Sequence, residues 1–209
     1  MNCLICHNFM AIPPTWSGLF LNKDGPPICK RCSNKFEKAD IKDDSAEWLG
    51  SIYENSLDGI TSVYKYNEAM KDYLHQYKFL QDAILSSVFA DELRANLIKK
   101  DAVIVPIPMH PDKLKLRTFA HIDRMLDDAR IKYEHVLMKT ADVTQGEKSK
   151  QERMGAQPLF AIKPEAMIEN KHFIVVDDLY TTGTTVRHAA KALKDAGAKK
   201  VNAMTLIRA

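Results

Sequence analysis

Short runs of β-branched and aromatic residues alternate along this chain with stretches in which apolar positions recur every three or four residues. Ile60-Thr61-Ser62-Val63-Tyr64-Lys65-Tyr66 reads as a strand. Met70, Tyr73, Leu74 and Tyr77, followed by Ile84, Val88, Phe89, Leu93 and Leu97, predict two helices before residue 100. Ala102-Val103-Ile104-Val105-Pro106 is continuously apolar, as a buried parallel strand is, and Pro106 and Pro108 end it. Phe119, Ile122, Met125 and Leu126 share one face of a helix over about residues 118–130, and His135-Val136-Leu137-Met138 returns as a strand. The last third predicts a buried strand over 172–176, a polar turn over 177–185, a helix over 186–196 stopped by Gly197, and a strand over 201–207. Strand, helix and parallel strand in that order make a right-handed βαβ unit, and the class is α/β with a mainly parallel sheet flanked by helices.

Two segments break this rhythm. Residues 1–44 carry Pro, Gly, Asn and Lys without apolar periodicity, so they form a small module with no core of its own. We divide the chain into that module, 1–45, and an α/β domain, 46–209. From Lys139 to Pro158 the chain is polar and reads as a long loop, a length that in a compact domain usually serves function.

With 209 residues, 45% of them hydrophobic, there is material for one main core and an appendage. The longest apolar run, Ala102 to Met109, holds two prolines and falls far short of the roughly 20 residues a membrane helix needs, which argues against membrane insertion. Met1-Asn2-Cys3-Leu4-Ile5-Cys6 has neither a basic nor a long apolar region of the secretory kind, so a cytoplasmic location is expected. A net charge of +3 with both signs interspersed does not by itself mark a nucleic-acid binder.

All four cysteines fall in the small module, as Cys3-x2-Cys6 and Cys29-x2-Cys32. Each pair turns two sulfurs toward one point, thiolates suit zinc, and four of them leave no open coordination position. A single structural zinc follows, stapling a segment that has little else to hold it. His7 beside the first pair is the one rival ligand. The absence of an export signal points away from a disulfide framework.

Ile174-Val175-Val176-Asp177-Asp178-Leu179-Tyr180-Thr181-Thr182-Gly183-Thr184-Thr185 combines three demands in one place. Carboxylates at a strand end accept hydrogen bonds from vicinal ribose hydroxyls. Small hydroxyl residues around a glycine present N–H and O–H groups to a phosphate, and the following helix aims its positive end there. A ribose 5-phosphate fits. The plainer reading is a strand and a helix with Thr184 or Thr185 as N-cap, which needs neither adjacent acids nor a run of small residues. A second stretch, Met109 to Arg117, follows the Val105-Pro106-Ile107-Pro108 strand end with Lys113, Lys115 and Arg117.

The first of these segments resembles the binding signature of type I phosphoribosyltransferases, which bind 5-phosphoribosyl 1-pyrophosphate (PRPP). The resemblance implies that Asp177 and Asp178 hold the ribose hydroxyls and that Thr181, Thr182, Gly183, Thr184 and Thr185 cradle the 5′-phosphate. It also implies that the second stretch receives pyrophosphate with Mg²⁺, through Lys113, Lys115 and Arg117, with Arg117 favoured for bidentate geometry.

The four-cysteine module, the Val-Pro-Ile-Pro strand end, a Lys78-Phe79 pair, Gln145, Ser149 and Arg153 in the polar loop, and the Val-Asp-Asp-x-Tyr-Thr-Thr-Gly turn together resemble the ComF competence family over nearly the whole chain. That family commonly reads Arg-Gly-Phe-Asn-Gln where this chain has Arg117-Thr118-Phe119-Ala120-His121. The resemblance implies a cytosolic factor for DNA uptake in natural transformation, working with a helicase-like translocase.

Three functions share these residues. An active transferase would displace pyrophosphate from the anomeric carbon, with Arg117 and Arg153 as catalytic candidates and Lys148 arriving on the loop. A DNA-handling protein would hold single-stranded DNA through loop cations and through Trp16, Phe20 and Trp48, although such aromatics more often fill a small core than serve as stacking platforms. A PRPP sensor would bind without turnover.

Overall fold

The computed structural model describes residues 1–11, 26–40, 45–98, 100–140 and 158–209. In chain order it forms α1 (Lys30–Ser33), a 3-10 turn (Ser45–Trp48), β1 (Gly59–Lys65), α2 (Glu68–Lys78), and a 3-10 segment (Ala83–Phe89) that runs into α3 (Ala90–Leu97). Then come β2 (Val103–Pro106), α4 (Pro111–Arg117), α5 (His121–Asp128), β3 (Leu137–Lys139) and β4 (Phe160–Ile162). The chain closes with β5 (His172–Tyr180), α6 (Thr184–Asp195) and β6 (Lys200–Arg208).

Four strands form a parallel sheet in the order β1-β6-β5-β2, so β5, α6 and β6 are the expected βαβ unit. β5 lies inside the sheet, and its side chains alternate between two apolar layers. Ile174 and Val176 join Tyr73, Tyr77, Phe89, Met125 and Leu126 on one side; Phe173 and Val175 join Ala189, Ala190 and Leu193 of α6 on the other. This double burial explains why the strand reads as an unbroken apolar run. β3 and β4 pair with each other, antiparallel, outside the main sheet.

Two expectations need adjustment. β5 does not end at Val176. It continues through Asp177 to Tyr180 because β6 stays beside it, with Leu179 opposite Ile207 and Tyr180 opposite Arg208. The stretch after β2, to which the sequence assigned no element, forms the short helix α4. The helix expected over 118–130 begins only at His121, because Thr118 takes a left-handed conformation, φ 61°, and breaks α4 from α5.

Among the described residues of the cysteine module, the buried side chains enter the main core. Cys3, Ile28, Cys32 and Phe36 belong to the same cluster as α2, α3 and α5. Phe36 packs edge-on against Tyr64, Tyr73 and Phe89. Residues 37–39 run along β1, with the Ala39 N–H donating to Val63 O and the Lys65 N–H to Glu37 O at 3.0 and 2.8 Å. Asn67 Oδ1 caps α2 by accepting from the Met70 N–H, while its Nδ2 donates to Lys35 O at 2.8 Å. The module therefore fixes the start of α2.

A β-branched residue in the left-handed region is strained, and a glycine there is not. Thr118 offers in return one exposed hydrogen bond, to Gln81 Oε1 at 3.4 Å. Thr118→Gly is expected to stabilise the fold by about 0.5–1 kcal/mol, the flexibility it adds to the unfolded chain offsetting part of the relief. Urea unfolding of the two proteins measures it, and a lower midpoint for the glycine variant would refute the account.

Candidate functional site

The strand end and the turn after it converge at the carboxyl edge of the sheet, where α/β folds place their ligands. Gly183 is the N-cap of α6 with φ 74°, and its carbonyl accepts from the Arg187 N–H at 3.1 Å. Neither Thr184 nor Thr185 caps the helix; in the strand, turn and helix the cap falls on Gly183. A side chain at 183 is barred twice: by the positive φ, and because a Cβ there would lie 2.1 Å from Tyr180 Oη. The Tyr180 ring is buried and Arg208 lies over it at 4.7 Å, so it forms the floor of the turn. Thr182 and Thr184 share a hydroxyl hydrogen bond of 2.9 Å. A small hollow lined by Asp177, Leu179 and residues 180–186 remains above them.

The two acids do not sit side by side. As successive residues of a strand they point to opposite faces. Asp177 lines the hollow of the turn. Asp178 faces α2, where Lys78 Nζ pairs with its Oδ2; both side chains are nearly buried, 14% and 13% exposed. Burial, reinforced by the Asp178 charge, pushes the Asp177 carboxyl up to about 7.

Of the cations after β2 whose side chains are described, Arg117 is the one turned inward. Its Nη1 lies 3.4 Å from His121 Nδ1 and its guanidinium lies over Phe79 at 5.5 Å. Lys115 is 81% exposed and pairs with Asp112 at 3.8 Å, as the helical twist of α4 requires. Lys113 belongs to the same helix. His121 is buried, and its Nε2 has no hydrogen-bond partner among the described residues. Burial, with the cations of Arg117 and Lys78 adding to it, pulls His121 down to about 4, so at neutral pH it is uncharged. The carboxylate of Asp178 acts on it in the opposite sense. Tyr77 Oη donates to the His121 carbonyl at 2.7 Å and Arg117 lies over Phe79, so both residues stand beside the end of α2 that carries Lys78.

Sequence reasoning noted Lys78 and His121 as positions in a pattern and gave neither a role; no local signal links them to Asp178. Trp48 moves the other way. It is 1% exposed, edge-on to Tyr53 and under Arg187, so it belongs to the core and offers no face to a base. Trp16, Phe20, Gln145, Lys148, Ser149 and Arg153 lie outside the described residues.

In the cysteine module the four sulfurs all lie within 4.8 Å of one another. Cys29 caps the short helix α1, and its N–H donates to Cys3 Sγ at 3.3 Å. Against the opposing effect of burial, N–H groups of Cys6, Cys29 and Ile5 bring the Cys3 thiol down to about 6. Burial and the other sulfurs push Cys32 up to about 12. Four thiols this close cannot all ionise without a cation between them, and a divalent soft metal meets that need. The cluster is positioned to bind a metal and fits a small zinc module.

The profile of the phosphoribosyl transferase domain family matches residues 121–209, from α5 through β6. "Competence protein ComFC" of Streptococcus pneumoniae is 32% identical over 221 residues, covering 100% of both chains. The chain belongs to the ComFC family. A second ComFC, from Bacillus subtilis, is 30% identical over 227 residues, covering 99% of this chain and 94% of its own. Among solved structures, glutamine phosphoribosylpyrophosphate amidotransferase from B. subtilis shares 19% identity at a TM-score of 0.42, covering 64% of this chain and 30% of that one. Hypoxanthine phosphoribosyltransferase from Staphylococcus aureus shares 15% at 0.37, covering 62% of each. The chain thus spans less than two thirds of either enzyme. With the parallel sheet, the domain match makes the fold that of a type I phosphoribosyltransferase. In this ComFC-family chain the matched segment carries the whole turn, whereas Lys78 and Arg117 precede it. No helix among the described residues is long and apolar enough to cross a membrane.

The raised Asp177 carboxyl has a consequence for stability. Between about pH 4 and 7 the folded chain keeps a proton that the unfolded chain has released, so this group's effect is to lower stability as pH rises through that window. Asp177→Asn is expected to equal the parent near pH 4 and to exceed it in urea midpoint at pH 8. Identical midpoints at pH 8 would mean that the carboxyl titrates normally.

Proposed function

We propose that this chain is a competence factor for DNA uptake in natural transformation whose phosphoribosyltransferase domain binds PRPP with Mg²⁺. What supports the reading above all is the carboxylate of Asp177 beside a glycine-capped helix start: a hydroxyl acceptor next to an anion seat. Residues 181–185 hold the 5′-phosphate and Asp177 and Asp178 take the ribose hydroxyls. With Mg²⁺ offsetting the diphosphate charge, Arg117 supplies the protein's cation on that side, and Lys113 and Lys115 stand further along the same helix. The protein works in the cytoplasm with a helicase-like translocase, and single-stranded DNA is its cargo. Zinc is held by Cys3, Cys6, Cys29 and Cys32. Turnover on an acceptor, with Arg117 and Arg153 as the catalytic pair, is the second reading; the inward turn of Arg117 favours it over a pure sensor.

The carboxylates separate a phosphoribosyl pocket from a generic anion site, because they repel bare phosphate. Replacing both Asp177 and Asp178 by Ala is expected to weaken PRPP binding by roughly 2–4 kcal/mol while inorganic phosphate binds as before or better. Calorimetry with both ligands measures this, and parallel losses would leave only an anion-binding turn. Pyrophosphate release in a screen of acceptors decides between turnover and sensing.

One zinc per chain is expected, and chelating it should reach beyond the module. Since Lys35, Phe36 and Glu37 contact β1 and the cap of α2, hydrogen exchange should quicken at residues 60–70 as well as at 1–40. Exchange confined to residues before 40 would show that the contact is not stabilising.

A further inference from the structure

One of the groups assigned above to the ribose hydroxyls is already paired in this structure: Lys78 Nζ meets Asp178 Oδ2. Lys78 ends α2, a helix fixed at its start by the cysteine module through Asn67 and along its length by Tyr73 and Tyr77 in the core. The ammonium therefore reaches Asp178 from a rigid base by its own flexible stem. Beside the same end of α2 stand Arg117, over the ring of Phe79, and His121, whose carbonyl accepts from Tyr77 Oη.

We infer that Lys78 is a displaceable counter-ion that makes the site specific for a ribose bearing a diphosphate. This rests on the phosphoribosyl reading of the site. A hydroxyl donor that takes Asp178 must break a nearly buried ion pair, and the released ammonium then needs a new partner. A diphosphate on C1 provides one on the Arg117 side. Ribose 5-phosphate provides none, so it leaves a desolvated lysine uncompensated. The pair thus penalises the ligand without the leaving group and spares the one that carries it, a discrimination by an unpaired charge rather than by added contacts.

Calorimetry with Mg²⁺ and three ligands, PRPP, ribose 5-phosphate and inorganic phosphate, tests this. Lys78→Met should weaken PRPP at least tenfold and leave ribose 5-phosphate unchanged or tighter, with phosphate unaffected. Lys78→Arg should restore most of the preference. Asp178→Asn, which removes the shared hydroxyl acceptor, should weaken PRPP and ribose 5-phosphate alike. Equal changes for both sugars in Lys78→Met would overturn the role of Lys78 while leaving the phosphoribosyl site standing. Wild-type protein that binds all three ligands equally would overturn that site and this inference with it. Should the Met variant not fold, acylation of Lys78 in the wild-type protein, read by peptide mass, decides. It should be slow in the free protein, faster with ribose 5-phosphate and slow again with PRPP. Equal rates with the two sugars would refute the exchange of partners.

Discussion

A strand buried on both faces allows no room for charge until it leaves the apolar layers, and β5 meets that limit between Val176 and Asp177. Everything at the site follows from how the two adjacent carboxylates are accommodated there. Alternation along the strand sends them to opposite faces. On the α6 face Asp177 meets the hydroxyls of a turn and keeps its proton up to about pH 7. On the α2 face Asp178 is nearly buried, and an unpaired carboxylate in that layer would be strongly destabilising. Lys78 is its partner.

The requirement for a lysine at that point explains the construction upstream. α2 must end within reach of β5, so its start must be fixed. The fixing comes from Asn67, which caps the helix and also donates to the backbone of the cysteine module. Phe36 fills the aromatic pocket formed by Tyr64, Tyr73 and Phe89. A metal at the four sulfurs would thus be a structural support for the end of α2 and its pairing with β5, transmitted by packing rather than by any direct contact.

The turn itself works by a similar economy of shape. Gly183 has to bend with positive φ because Tyr180 occupies the volume beneath it, and Tyr180 can be there because β6 keeps β5 in register to its last residue. Among residues 177–186 Gly183 alone takes a positive φ, and it starts α6. Thr118 is the counterexample: a left-handed threonine between α4 and α5 that aims Arg117 inward at a conformational cost.

Local features of the sequence sufficed for the α/β class, the βαβ unit at the end, the metal-binding cysteines and the acid-threonine turn. Each depends on periodicity or on spacings of a few residues, and these are set by helix and strand geometry before any distant contact forms. The true end of β5, the split between α4 and α5 and the inward turn of Arg117 were not legible, since neighbours far along the chain impose them. The pairing of Lys78 with Asp178 and the isolation of His121 belong to the same class. Amino-acid types near these residues say that they are charged or titratable. Which charge meets which is decided by the packing of α2 and α5 on the sheet, because a desolvated ion takes whatever partner the completed core brings within reach.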